Sequence, residues 1–203
     1  MREPGNFTDE ELAAQTAAGS PAAFEELVSR YRPRLFYFLR SRSESDEDIE
    51  DLIQETFLRV FRHIDRYDPK WKFSTWLYTL AVRLAISRHR AKKTNTLPLD
   101  PELSQNPSPG PQENLIQKEE ARARQNIWNV ARALNPGEYR ALWLRYAEDL
   151  SIKEIAKTMN KTQLGVRALL HRSRLKLGQK LRSASPSAAL SEAVPARQRL
   201  EIL

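Results

Sequence analysis

Five of the chain's 12 prolines fall between residues 94 and 114, in TNTLPLDPELSQNPSPGPQEN. Helices and central strands do not run through such a density of residues that lack a backbone donor and hold φ fixed. The 203 residues must therefore fold as two units on either side of this stretch. The stretch itself should be an extended, flexible tether. Each unit is small and has to build its core from few elements. Only 6 glycines and few β-branched runs argue against an all-β fold, while 40% hydrophobic and 29% charged residues suit small, well-solvated helical domains.

The expected architecture is all-α, with two small helical domains joined by a flexible Pro-rich linker. The domains are placed at residues 8–93 and 121–182, the linker at 94–120, and a loosely ordered tail rich in Ala, Ser and Pro at 183–203. With no cysteine, disulfides, thiolate zinc sites and thiol redox sensing are excluded. No N-terminal apolar core of signal-peptide type is present, and no apolar run approaches the ~20 residues of a membrane span. A soluble, cytoplasmic protein without membrane insertion is expected.

The net charge of +7 is unevenly distributed. Residues 1–69 carry nine Lys/Arg and fifteen Asp/Glu; residues 70–93 carry seven bases and no acid. Residues 94–120 hold one base and five acids, residues 121–182 fourteen bases and four acids, and the tail is balanced. Two basic blocks, each beside an acidic one, point to two separate contacts with a polyanion.

Local signals divide the first domain into four helices. Thr8 and Glu11 have capping-box spacing ahead of one helix. Ser20 and Pro21 supply an N-cap and a tolerated first-turn proline for the next, in which Pro33 is a candidate kink. Acids fill the first turn of SDEDIEDLIQETFLRVFRHI, as the helix dipole favours. A fourth helix, STWLYTLAVRLAISRHRAKK, is expected to be capped by Ser74 or Thr75.

The third of these helices has two working faces. Ile49, Leu52, Ile53, Phe57, Val60, Phe61 and Ile64 form an apolar stripe at three- and four-residue spacing, which reads as core. Glu47, Asp51, Gln54, Glu55 and Leu58 align on the other side, placing carboxylates, an amide and a bare leucine in water. Such a face on a basic protein needs a partner to explain it.

In the second domain, Ser151 and Glu154 form another capping box, and Ile152, Ile155, Ala156 and Met159 face inward. After the turn NKT, QLGVRALLHRSRLKLGQKLR puts Val166, Leu170, Ser173, Leu177 and Leu181 along one side and Gln163, Arg167, His171 and Arg174 along another. This is the pattern of a helix-turn-helix with its recognition helix. Arg and Gln suit base edges, while Lys161, Arg172 and Lys176 suit phosphates. A merely solvated basic helix would not require the caps, the short turn and the local excess of bases together. Gly165 is unusual inside such a helix, where glycine costs ~1 kcal/mol relative to alanine.

Residues 67–78, YDPKWKFSTWLY, hold five of the chain's 17 aromatics. Part of this group must be core, because Trp76 and Leu80 share one side of the helix and Phe73 and Leu77 another. Arg83, Arg88, Arg90, Lys92 and Lys93 follow without an acid. Flat rings beside a cationic track are what unstacked, single-stranded bases require.

Taken in order, AAGSPAAFEELVSRYRPRLFYFL, EDLIQETFLRVF, WKFSTWLYTLAVRLAISRHR and LNPGEYRALWLRYAEDLSIKEIAKTMNKTQLGVRALLHRSRLKL resemble the conserved segments of a bacterial sigma factor. The resemblance is to the two-domain extracytoplasmic-function type of the sigma-70 family. It implies promoter recognition without chemistry or cofactor. The helix bearing Glu47, Asp51, Gln54, Glu55 and Leu58 would dock on the clamp of the largest subunit of core RNA polymerase. The flap region of the second-largest subunit would be a further contact. Minus-ten single-stranded DNA would meet Tyr67, Lys70, Trp71, Lys72, Phe73, Thr75, Trp76, Tyr78, Arg83, Arg88 and Arg90. Minus-thirty-five duplex would meet Lys161, Thr162, Gln163, Arg167, His171, Arg172, Arg174 and Lys176. An anti-sigma factor is a further partner of the class that the resemblance brings in. Many relatives carry Asn where this chain has Arg83 and Asp where it has Ser87.

Two other readings compete. The 3 histidines are scattered, and no nucleophile motif, metal-ligand spacing or phosphate-cradling loop is present, so no catalytic or metal-binding residue is assigned. The stronger rival is a stand-alone helix-turn-helix regulator that binds duplex DNA through residues 151–177.

Overall fold

The computed structural model describes residues 7–40, 45–95 and 126–184. All regular secondary structure among them is helical. The first unit comprises α1 (Asp9–Ala17), α2 (Pro21–Leu39), α3 (Asp46–His63), a 3-10 turn (Ile64–Arg66) and α4 (Phe73–Asn95). The second comprises α5 (residues 126–131), α6 (Pro136–Tyr146), α7 (Ile152–Met159) and α8 (Gln163–Ala184). Apart from Thr94, Asn95, Ser183 and Ala184, which extend α4 and α8, the expected linker to residue 120 and the tail lie outside the described residues.

The helix starts follow local chemistry. Thr8 Oγ1 accepts from the Glu11 N–H at 3.1 Å, and Glu11 Oε2 accepts from the Thr8 N–H at 2.8 Å. Ser20 and Ser45 cap α2 and α3, while Asn135–Glu138 and Ser151–Glu154 form capping boxes on α6 and α7. Each such cap is worth about 1 kcal/mol. The start of α4 departs from expectation. Its first residue is Phe73, whose N–H is taken by Glu10 Oε1 of α1 at 3.0 Å, and Ser74 and Thr75 are buried inside the helix. A carboxylate from another helix does what a neighbouring hydroxyl was expected to do.

In the first unit Leu12, Leu27, Leu35, Phe38, Ile49, Ile53, Val60 and Leu77 lose all or nearly all contact with water. Complete burial of such a side chain is worth about 1.5–3 kcal/mol. Arg30 fastens α1 to α2: its guanidinium donates to Glu26, to Asp9 and to the Phe7 carbonyl, and Tyr31 donates to Asp9. α2 runs through Pro33 without a break.

In the second unit Leu142, Leu144, Leu150, Ile155, Val166 and Leu170 are buried. α7 ends at Asn160, whose left-handed backbone (φ 51°) turns the chain toward α8. α4 packs directly against α7, joining the two units. Tyr139 donates to the Tyr37 carbonyl at 2.7 Å, and the Tyr37 ring stacks on Trp143 with centroids 6.2 Å apart.

Candidate nucleic-acid and polymerase interfaces

α3 presents the two faces its sequence predicts, with one exception. Ile49, Leu52, Ile53, Phe57 and Val60 are buried, but Phe61 is 59% exposed and rests at the surface against Phe24, centroids 5.2 Å apart. Ile64, the last residue of the stripe, is half-buried and packs against the core, so Phe61 alone departs from it. On the opposite side Glu47, Asp51 and Gln54 are exposed, Leu58 is 41% exposed, and Glu55 pairs with Arg59 at 2.8 Å. Arg88 of α4 reaches this same face, with Nη2 3.0 Å from both Asp48 and Asp51. The guanidinium expected on the DNA track is thus paired with carboxylates of α3.

At the head of α4, a pocket of about 140 Å³ is lined by Arg66, Tyr67, Asp68, Trp71, Trp76, Thr79, Leu80, Arg83 and Lys157. Tyr67 and Trp76 stand with centroids 5.6 Å apart, and the Tyr67 hydroxyl donates to the Trp71 carbonyl at 2.7 Å, fixing the loop. Burial pushes the Tyr67 phenol up to about 12, so it stays a neutral donor. Trp71 and Trp76 are half-buried, whereas Lys70, Lys72, Arg83 and Arg90 are exposed. Aromatic walls with a cationic rim give stacking surface and phosphate-binding charge in one place.

Three expected contributors do not belong to this surface. Phe73 and Tyr78 are 0% exposed. Phe73 packs edge-on to Tyr31, and Tyr78 lies against Tyr31 and Phe38. Thr75 is also buried, its hydroxyl donating to Glu154 at 3.1 Å. α4 lies among α1, α2, α3 and α7, so helical periodicity alone could not tell which of its rings faced out. Arg66, Thr79 and Leu80, not previously assigned, line the pocket instead; Leu80 was legible from its i,i+4 spacing to Trp76. Lys157 comes from the other unit and left no local signal.

On α8, Gln163, Arg167, His171, Arg172 and Arg174 are exposed, as are Lys161 and Thr162 at its entrance, and Val166, Leu170 and Ser173 face inward. Leu164 beside them is 75% exposed. Lys176 is exposed too, and its ammonium lies 2.6 Å from the buried carboxylate of Glu138, tying α8 to α6. Thr162 Oγ1 accepts from the Gly165 N–H at 3.0 Å, and a Cβ at Gly165 would come within 3.1 Å of that oxygen. The glycine gives the capping hydroxyl room. Among the described residues no group of three His, Asp or Glu could hold a metal, and no helix is long and apolar enough to cross a membrane.

The segments that carry these surfaces match known families. Residues 27–94 match Sigma-70 region 2, and residues 124–177 match Sigma-70 region 4. The chain belongs to the extracytoplasmic-function sigma factors of the sigma-70 family. It is 31% identical over 181 residues to the ECF RNA polymerase sigma factor SigW of Bacillus subtilis, covering 83% of this chain and 94% of that one. The fold is shared with CnrH, solved in complex with the cytosolic domain of CnrY (24% identity, TM-score 0.59, 87% of this chain and 99% of that one). It is likewise shared with the sigma factor RpoE of Bartonella quintana, solved with the anti-sigma factor NepR (18% identity, TM-score 0.60, 78% and 96%). The stand-alone regulator gives way to a sigma factor.

Proposed function

We propose that this sigma factor divides its work among the three surfaces. α3 docks on the clamp of core RNA polymerase through Glu47, Asp51, Gln54, Glu55 and Leu58. α8 lies in the major groove of the minus-thirty-five element, with Gln163, Arg167, His171 and Arg174 toward base edges and Lys161 and Arg172 toward phosphates. The pocket at the head of α4 captures a flipped base of the minus-ten non-template strand.

The pocket is the observation that carries this reading. A flipped base costs a few kcal/mol of lost stacking. Tyr67, Trp71 and Trp76 offer replacement stacking at ~1–3 kcal/mol per base, and Arg66 and Arg83 attract the flanking phosphates. Since Arg83 replaces an amide with a cation, base choice at this element rests on the shape of the pocket more than on hydrogen bonding by that residue. An anti-sigma factor is a further partner in this reading, as for the RpoE neighbour solved with NepR.

The test is run-off transcription with purified core polymerase on a promoter selected from genomic fragments. Wild type should initiate at discrete starts. Trp76→Ala should keep core binding and lose strand opening, read as permanganate reactivity of unpaired thymines. If wild type protects duplex DNA alone yet never joins core polymerase, this reading fails.

A further inference from the structure

α8 carries no acid, and Arg167 and Arg174 stand on one flank of it with Arg172 on the other, yet the row between them is largely apolar. Val166, Leu170 and Ser173 turn inward. At 3.6 residues per turn, Leu164, Ala168, His171 and Leu175 are displaced from Val166 by about 140–200° around the axis, which makes them the outermost row. All four are exposed. Leu164, at 75%, is more exposed than any other large hydrophobic side chain among the described residues, and Leu175 is at 57%. A bare leucine on a basic helix gains nothing from water and offers no charge to a phosphate.

The first turn of α8 is held in place. The Val166 N–H donates to the Thr162 carbonyl at 2.9 Å and the Gly165 N–H to the Thr162 hydroxyl at 3.0 Å, while the Val166 side chain is sealed in the core. Leu164 and Ala168, four residues apart, are neighbours on the helix surface with Cβ atoms about 5–6 Å apart. Ala168 has no side chain beyond Cβ, so the helix can lie close to a groove floor there while Leu164 supplies apolar surface. The major groove of B-form DNA shows donors and acceptors on every base pair but only one apolar group, the thymine C5-methyl. Base edges are reached by the N-terminal residues of a recognition helix, which is where Leu164 stands. Leu175 is about 16 Å further along the axis and lies beyond them.

We propose that Leu164 reads a thymine of the minus-thirty-five element through its C5-methyl, with Ala168 letting the helix come close enough for the contact. This rests on the reading of α8 as the major-groove helix. The bases on the two flanks of α8 supply attraction to the duplex and hydrogen bonds, and the apolar row between them supplies a contact that needs neither. The element this chain prefers therefore holds at least one thymine recognised without a hydrogen bond, close to the base pair met by Arg167, which is one helical turn from Leu164.

Deoxyuridine pairs as thymine does and lacks only that methyl. The full chain joined to core polymerase is titrated with a selected promoter fragment, and with fragments in which each minus-thirty-five thymine in turn is replaced by deoxyuridine. The expected result is a position at which deoxyuridine weakens wild-type binding by about fourfold, the worth of one methyl group removed from water. Leu164→Ala should bind the thymine fragment at least that weakly, and deoxyuridine at the same position should cost it nothing more. Leu175→Ala should keep the full wild-type response. A selected element without thymine, deoxyuridine without cost at every thymine, or an equal cost in Leu164→Ala and wild type overturns the contact. If Arg167→Ala binds every fragment as wild type does, α8 is not the reading helix and the proposal falls with that reading. Weak binding by Arg167→Ala together with costless deoxyuridine removes the methyl contact alone.

Discussion

Tyr78, on α4, and Glu148, between α6 and α7, are 70 residues apart in sequence and joined by a 2.6 Å hydrogen bond at the junction of the two units. The carboxylate also lies 3.3 Å from Trp143 Nε1 and from Arg34 Nε, and its side chain is almost entirely buried. Tyr78→Phe removes one donor from a desolvated acceptor while preserving the ring against Phe38. A loss of about 1–3 kcal/mol is expected, read as a lower denaturation midpoint with fold retained.

Burial raises the Glu148 carboxyl above its ordinary value, against Tyr78, Arg34 and Trp143, with Asp9 adding to the rise. A carboxyl raised in the folded state binds its proton more tightly there than in the unfolded chain. Its proton-linked contribution to stability is therefore fully present below the ordinary Glu value of ~4.3 and is lost as pH rises through the raised value. Denaturation midpoints measured across that window should carry this contribution in the wild type. Glu148→Gln should flatten the profile.

Exposed and buried positions of α3 should separate cleanly. Gln54→Ala/Leu58→Ala touches only surface, so its stability should stay within about 0.5 kcal/mol per site while core polymerase binding on size exclusion is lost. Ile53→Ala, on the buried face, should cost about 2–5 kcal/mol of stability. The reverse pattern would mean that α3 is not the docking helix.

On α8, Arg167→Ala should cost about 1–3 kcal/mol on the best minus-thirty-five duplex and relax preference at one position. Lys161→Ala should weaken all duplexes alike and reduce the salt slope by about one. Lys176→Ala should instead appear as instability, since it strands the buried Glu138 carboxylate. Duplex titrations at several salt concentrations, beside thermal melts, distinguish the three.

What the sequence by itself determined was whatever is settled within one or two helical turns. Capping hydroxyls meet N–H groups three residues on, and a 3.6-residue period decides which side of α3 or α8 is apolar. Thr8, Ser20, Ser151, the buried row Ile49–Val60 and the outward row Gln163–Arg174 all followed from that. The order of the motifs was enough to expect the family as well. Tertiary structure decided the places where a helix has neighbours on several sides or a side chain reaches across the chain. α4 is flanked by four helices, so Phe73 and Tyr78 went inward and Trp76 to the pocket although all are aromatic. Glu10 caps α4 from 63 residues away, Arg88 crosses to Asp48 and Asp51, and Lys157 covers Trp71 from the other unit. Such pairings depend on how helices are set against one another, and no local spacing encodes that.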